Sequence, residues 1–257
     1  MTNQAAPRVY RTEALVLKGY DYGEADRILT LLTPHSGKMR AIAKGVRRTK
    51  SRMSGHLDLF TRSTLLIARG RQLDIVTQAE TVENFRPMRG DLVRVSSAHY
   101  VAEILDEFSA ENLPNYPLYA LAIATLRQLG GDGDLDLTLR SFEMQSLAHT
   151  GYRPQLHRCL QCGTEIVPGQ NRFSPKLGGI LCPDCGMADS AAPPISVPAL
   201  KLLRHLQTNP DGLRSLTSIP VVAKQEVEQR LQEYVTHRME GRLRSVRFLE
   251  QVRADQS

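Results

Sequence analysis

The sequence predicts a multidomain α+β protein: an N-terminal five-stranded β-barrel, then a C-terminal helical domain with an inserted four-cysteine ribbon. Three observations predict it. Five short runs, apolar or alternating apolar with polar residues, fill residues 9 to 85 between turn signals. From Pro87 onward the apolar residues recur at helical spacing. Two Cys-x-x-Cys pairs with 19 residues between them interrupt that helical half. A chain of 257 residues with 41% hydrophobic content can fill more than one core. The expected divisions are 1–86, 87–156, 157–190 and 191–257, the second and fourth being parts of one helical domain.

The expected strands are Glu13 to Lys18, Arg27 to Thr33, Lys38 to Lys44, Thr61 to Ala68 and Gln72 to Glu80. Turn chemistry separates them at Asp21-Tyr22-Gly23, His35-Ser36-Gly37 and Arg69-Gly70-Arg71. Five strands with a long third connection suit an OB-type barrel, which commonly holds single strands in a cationic groove with aromatic stacking. Tyr10, Tyr20, Tyr22 and Phe60 are the candidate stacking faces.

The charge is localised. Residues 1 to 85 hold 14 Lys and Arg against 8 Asp and Glu, whereas the remainder holds 19 against 19. All of the net +6 therefore sits in the first third, which marks that unit as the contact for a polyanion. Its centre is Gly37 to Arg52, with Lys38, Arg40, Lys44, Arg47, Arg48, Lys50 and Arg52, and no acid between Pro34 and Leu57. Alternation places Lys38, Arg40 and Lys44 on one face of a strand and Met39, Ala41 and Ala43 on the other. Such a surface suits phosphate backbones, because each neutralised phosphate releases condensed counterions; the plain alternative is a solvated loop.

Helices are expected behind Asp91, from Pro117 to Leu129 before Gly130-Gly131, behind Asp134, and behind Ser196. A long final helix is expected from about Val221 to Val252. Its end carries Arg238, Arg242, Arg244, Arg247 and Arg253, which suit a helix C-terminus through the dipole or serve as a second nucleic-acid contact.

Cys159, Cys162, Cys182 and Cys185 have the spacing of a four-cysteine zinc ribbon, with Arg172 to Ser174 and Ile180 to Leu181 as a hairpin between the pairs. Four thiolates fill a tetrahedral Zn2+ and leave no position for water, so one structural ion is expected. A zinc deaminase needs His-x-Glu before the second pair, and no histidine here has Glu two residues later. Gly37-Lys38 is not a phosphate loop, since Leu32 stands where Gly is needed and Met39 where Ser or Thr holds magnesium. No Gly-x-Ser-x-Gly elbow or dinucleotide fingerprint occurs, so no enzyme, no catalytic residue and no small-molecule substrate are expected. Without a long apolar run, no membrane partner is expected and a cytoplasmic location is; association with the nucleoid is expected if the polyanion is DNA. A basic barrel with a ribbon also suits RNA, so an RNA-binding or translation-associated protein stays open as the rival reading.

Tyr22 to Thr33 (YGEADRILTLLT), Gly37-Lys38, Ala43 to Arg48 (AKGVRR) and Lys50 to Arg52 (KSR), followed by helices and the two cysteine pairs, resemble the RecO family of bacterial DNA repair proteins. The resemblance covers nearly the whole chain. It implies a recombination mediator of the RecF pathway that binds single- and double-stranded DNA and anneals complementary strands. The implied partners are RecR, the single-strand-binding protein SSB, RecF, and indirectly RecA, which it helps place on SSB-coated strands. It also implies that the cations from Lys38 to Arg52 face DNA and that the four cysteines hold zinc.

Overall fold

The computed structural model describes residues 8–209, 218–239 and 243–254. Strands β1 (Val9–Tyr22), β2 (Asp26–Thr33), β3 (Gly37–Ala43), β4 (Arg62–Ala68) and β5 (Asp74–Glu83) form one sheet. Its hydrogen-bonded order, β1-β2-β3-β5-β4, closes on itself. The first half of β1 pairs with β4 and the second half with β2, which keeps that strand extended over 14 residues, well beyond Glu13 to Lys18. β3 stops at Ala43, so Lys44 opens a turn instead of extending the strand face.

The sheet has two buried sides. Ala14, Val16, Leu29, Leu31, Met39, Ala41, Ala43, Leu65 and Ile67 fill its interior. Leu15, Leu17, Leu32 and Phe60 point the other way and join the core of the helical body. Burial on both sides explains why Ala14 to Leu17 reads as a continuous apolar run and not as an alternation. Phe60 was a candidate for stacking; it is 3% exposed at φ +60°, edge-on to His99 at 4.8 Å between ring centroids, and so belongs to the core.

The helical body holds α1 (Arg86–Arg89), α2 (Leu92–Phe108), α3 (Tyr116–Leu129), α4 (Leu135–His149), α5 (Val197–Thr208), α6 (Val221–Arg238) and α7 (Arg244–Ala254). Asp91, Asn115, Asp134 and Ser196 cap α2, α3, α4 and α5, each accepting from the N–H three residues on. Leu92, on the first turn of α2, is 54% exposed. The single final helix expected from Val221 to Val252 is instead two. The sequence carries Gly241 between them, a poor helix former, and Leu243, Leu249 and Val252 are buried, with α7 packed against α2. Of the arginines expected on that helix, Arg242 and the side chains of Arg244 and Arg247 lie outside the described residues.

α4 is the central helix, buried continuously from Leu137 to Leu147. It carries an ionic group into the core: Arg140 Nη2 lies 2.8 Å from Glu143 Oε1 and Nη1 lies 3.3 Å from Glu228 Oε1 of α6. Tyr100 of α2 donates its hydroxyl to Glu143. Burial pushes the Glu143 carboxyl up to about 7 against the pull of Arg140 and Tyr100.

The two parts are joined by ion pairs as well as by apolar packing. Asp106, near the end of α2, meets Lys18 Nζ at 2.5 Å and Lys38 Nζ at 3.2 Å. Burial opposes its ionisation, but the two ammonium groups prevail and hold its carboxyl below the ordinary value. Glu13 of β1 accepts from Arg62 at 2.9 Å and from the Tyr119 hydroxyl of α3 at 2.6 Å. The β2–β3 turn comes so close to the α2–α3 connection that a Cβ on Gly37, at φ +68°, would stand 2.1 Å from Leu113 O. Only glycine fits there.

Candidate nucleic-acid interface and metal centre

Met39, Ala41 and Ala43 point into the sheet, so Lys38, Arg40 and Ile42 point outward, as alternation requires. The outward residues do not share one role. Lys38 donates to Asp106 O besides pairing with its carboxylate, and only 16% of its side chain is exposed. It fastens the sheet to α2. Arg40 is exposed on the same strand.

After Ala43 the chain forms consecutive turns. Gly45 N–H donates to Asp26 Oδ1 at 2.7 Å, Arg47 N–H to Ala25 O at 2.9 Å, and Ser51 N–H to Arg48 O at 2.9 Å. Val46 is buried as the anchor of this loop. These bonds fix the backbone while Lys44, Arg47, Arg48, Lys50 and Arg52 stay exposed. Arg47 meets Asp21 at 3.3 Å. Among the described residues, no ion pair is formed by Arg40, Lys44, Arg48, Lys50 or Arg52. Five unneutralised cations on an anchored backbone make a surface that attracts polyanions and spends little conformational entropy on doing so.

The register adds a feature that the basic stretch alone does not reveal. Tyr20 of β1 pairs with Ile28 of β2, and Ile28 with Ile42 of β3, giving an aromatic and aliphatic row across the outer face. The next row is Lys18, Thr30 and Arg40. Tyr20 and Tyr22 are 51% and 56% exposed, so apolar contact area lies beside free cations. Tyr10 is committed elsewhere: its hydroxyl donates to Asp74 at 2.7 Å and its ring lies 5.2 Å from the Arg69 guanidinium. Sequence reading missed Ile28 and Ile42, although period-two alternation with Leu29 and Ala41 would have placed them on that face.

The four cysteines converge. Their sulfurs all lie within 4.8 Å of one another, with Cys159 buried and Cys162 exposed. Sγ of Cys162 and Sγ of Cys182 are 3.8 Å apart. A tetrahedral ion with Zn–S bonds of about 2.3 Å separates its sulfurs by about 3.8 Å, so the donor set fits such an ion. β6 (Arg172–Ser174) and β7 (Gly179–Leu181) form the expected hairpin between the pairs. Gly163, at φ +74°, turns the first knuckle so that its N–H reaches Cys159 O at 2.9 Å. Burial works against the Cys159 thiolate, but N–H groups of Cys162, Cys182 and Gln161 bring its thiol down to about 6. Hydrogen bonding to Cys182 and Cys162 pushes the Cys185 thiol up to about 12, the crowding of sulfurs that a dication would relieve.

End to end, the chain is similar to proteins of DNA recombination and repair. Residues 8–85 match the family described as Recombination protein O N terminal, and residues 89–247 match Recombination protein O C terminal. A protein named DNA repair protein RecO from Roseiflexus sp. is 44% identical over 96% of this chain and 87% of its own length. Its namesake in Dehalococcoides mccartyi is 40% identical over 79% of this chain and 80% of that protein. The Symbiobacterium thermophilum namesake is 34% identical over 96% and 98%. The chain belongs to the RecO family.

Proposed function

We propose that the chain is a DNA-binding recombination mediator that uses the outer face of β1, β2 and β3 and the turns after Ala43. The observation that carries this reading is the register row Tyr20–Ile28–Ile42 beside Arg40, Lys44, Arg48, Lys50 and Arg52, cations free of ion pairs. The closed five-stranded sheet is read as an OB-type barrel, in which bases lie on apolar side chains while cations follow the backbone. Duplex DNA engages the same cations without the stacking row, so both forms bind.

Annealing follows from electrostatics. Cations that screen two backbones at once lower the repulsion between complementary strands, and base pairing supplies the free energy. No nucleotide hydrolysis and no catalytic residue is required. In this reading the protein acts with RecR to place RecA on strands coated with SSB. Cys159, Cys162, Cys182 and Cys185 hold one Zn2+, and with four thiolates the ion keeps no open position and serves the fold.

The test is fluorescence anisotropy of a labelled single-stranded oligonucleotide across a range of salt, followed by addition of the complement. A log-log slope of about −3, as roughly four phosphate contacts give for single strands, with faster annealing, supports the reading. Binding without salt dependence overturns it, and stronger competition by a matched RNA would transfer the same surface to RNA.

A further inference from the structure

Arg27 and Arg47 converge on one carboxylate. Asp21, at the end of β1, places Oδ1 at 3.4 Å from Arg27 Nε and Oδ2 at 3.3 Å from Arg47 Nε. Arg27 comes from the start of β2 and Arg47 from the turn after β3, so three chain segments meet at this tip. The backbone there is tied independently of the carboxylate, through Arg47 N–H to Ala25 O and Gly45 N–H to Asp26 Oδ1. Asp21 is therefore not needed to hold the tip together. Its side chain is 55% exposed, and those of Arg27 and Arg47 are 30% and 36% exposed, so all three reach solvent. Exposed pairs of this kind are weak, whereas guanidinium groups bind phosphate oxygens through charge-assisted hydrogen bonds.

Resting on the DNA-binding reading, we infer that Asp21 is an internal counter-ion occupying a backbone-phosphate subsite formed by Arg27 and Arg47. The register sets Asp21 and Arg27 in the row of Ala43, on the side of the sheet opposite Tyr20 and Tyr22. A strand that leaves the outer face over the end of β1 and the turn after Ala43 therefore brings its phosphates to the two guanidinium groups and displaces the carboxylate. The displaced charge stays nearby and opposes the strand, so the subsite binds reversibly. Arg27 thereby joins the interface, although it lies outside the basic stretch.

The experiment compares wild type with Asp21→Asn by anisotropy of a labelled oligothymidine over a salt series. The expected result is binding roughly three- to tenfold tighter at fixed salt and a log-log slope steeper by about 0.7, one added phosphate contact on a single strand. The gain should vanish when Asp21→Asn is added to the Arg27→Gln, Arg47→Gln double variant and the resulting triple variant is compared with that double variant. Unchanged or weaker binding by Asp21→Asn, with salt-dependent binding intact in wild type, overturns the inference and leaves the DNA-binding reading standing. Persistence of the gain in the triple variant also overturns it, because the effect would then be one of net charge. Absence of salt-dependent binding in wild type removes the DNA-binding reading and this inference together.

Discussion

Lys38 Nζ lies 3.2 Å from Asp106 Oδ1, so the first cation of the basic stretch faces the helical body and not the solvent. Lys18 reaches the same carboxylate from β1. One aspartate thus engages two lysines that an isolated sheet would expose, and it bounds the free cationic surface on the side of α2.

Lys38→Ala should therefore behave as a stability variant. Loss of a charge-assisted contact and of the hydrogen bond to Asp106 O predicts a decrease of about 1–2 kcal/mol in chemical denaturation. Affinity for single-stranded DNA should change less than about twofold. Arg48→Ala should do the reverse. Equal weakening of DNA binding by the two variants would mean that the Lys38 pair opens in the complex.

Neutralising Lys44, Arg48 and Lys50 together should leave the fold intact, because the turns are held by backbone bonds and by Val46. The salt slope for single strands should become shallower by about 2, at about 0.7 for each lost phosphate contact. Circular dichroism and the salt series check the two halves of this expectation. A full wild-type slope would move the interface elsewhere.

Metal removal should be felt beyond the cysteines. Leu156, Ile166, Phe173 and Ile180 share one apolar core with Leu200, Leu203 and Tyr234 of the helices. Arg204 of α5 donates to Leu156 O at 2.8 Å and to Ile166 O at 3.1 Å. With Zn2+ held as proposed, Cys182→Ser or chelation should release it and lower the melting temperature of the whole helical body by roughly several degrees. An unchanged transition after verified metal loss would show that the ribbon folds separately. Release should also be promoted by acid, since each ligand must be a thiolate.

Glu143 supplies a pH signature. Its folded-state carboxyl titrates near 7 because burial disfavours the charge, above the ordinary value of 4.5. The folded state therefore binds the proton more tightly than the unfolded chain does, and this contribution is complete below about 4.5 and lost as pH rises towards 7. The stability of wild type minus that of Glu143→Gln should fall across this window, by an amount of order 2 kcal/mol. A flat difference in urea melts from pH 4.5 to 7.5 would show that Arg140 keeps the carboxyl ionised throughout.

Local chemistry was legible in the sequence, residue by residue. Asp91, Asp134 and Ser196 cap helices because a short side-chain oxygen can reach an N–H three residues ahead without help from the rest of the fold. Arg40, Met39 and Ala41 alternate as a strand must, and the spacing of the four cysteines predicts the convergence of their sulfurs that the fold shows. Tertiary structure alone decided which cations are free. Lys38 and Arg40 look alike in sequence, but only Lys38 meets an acid 68 positions away. The same holds for Phe60, which is apolar enough to stack and is instead buried where the sheet meets α2. It holds for Ile28 and Ile42, which become a surface row only when three strands fall into register. Turns, caps and alternation are set by neighbours within a few bonds, so the sequence by itself determines them; burial and charge pairing depend on segments far apart in the chain, so only the folded arrangement does.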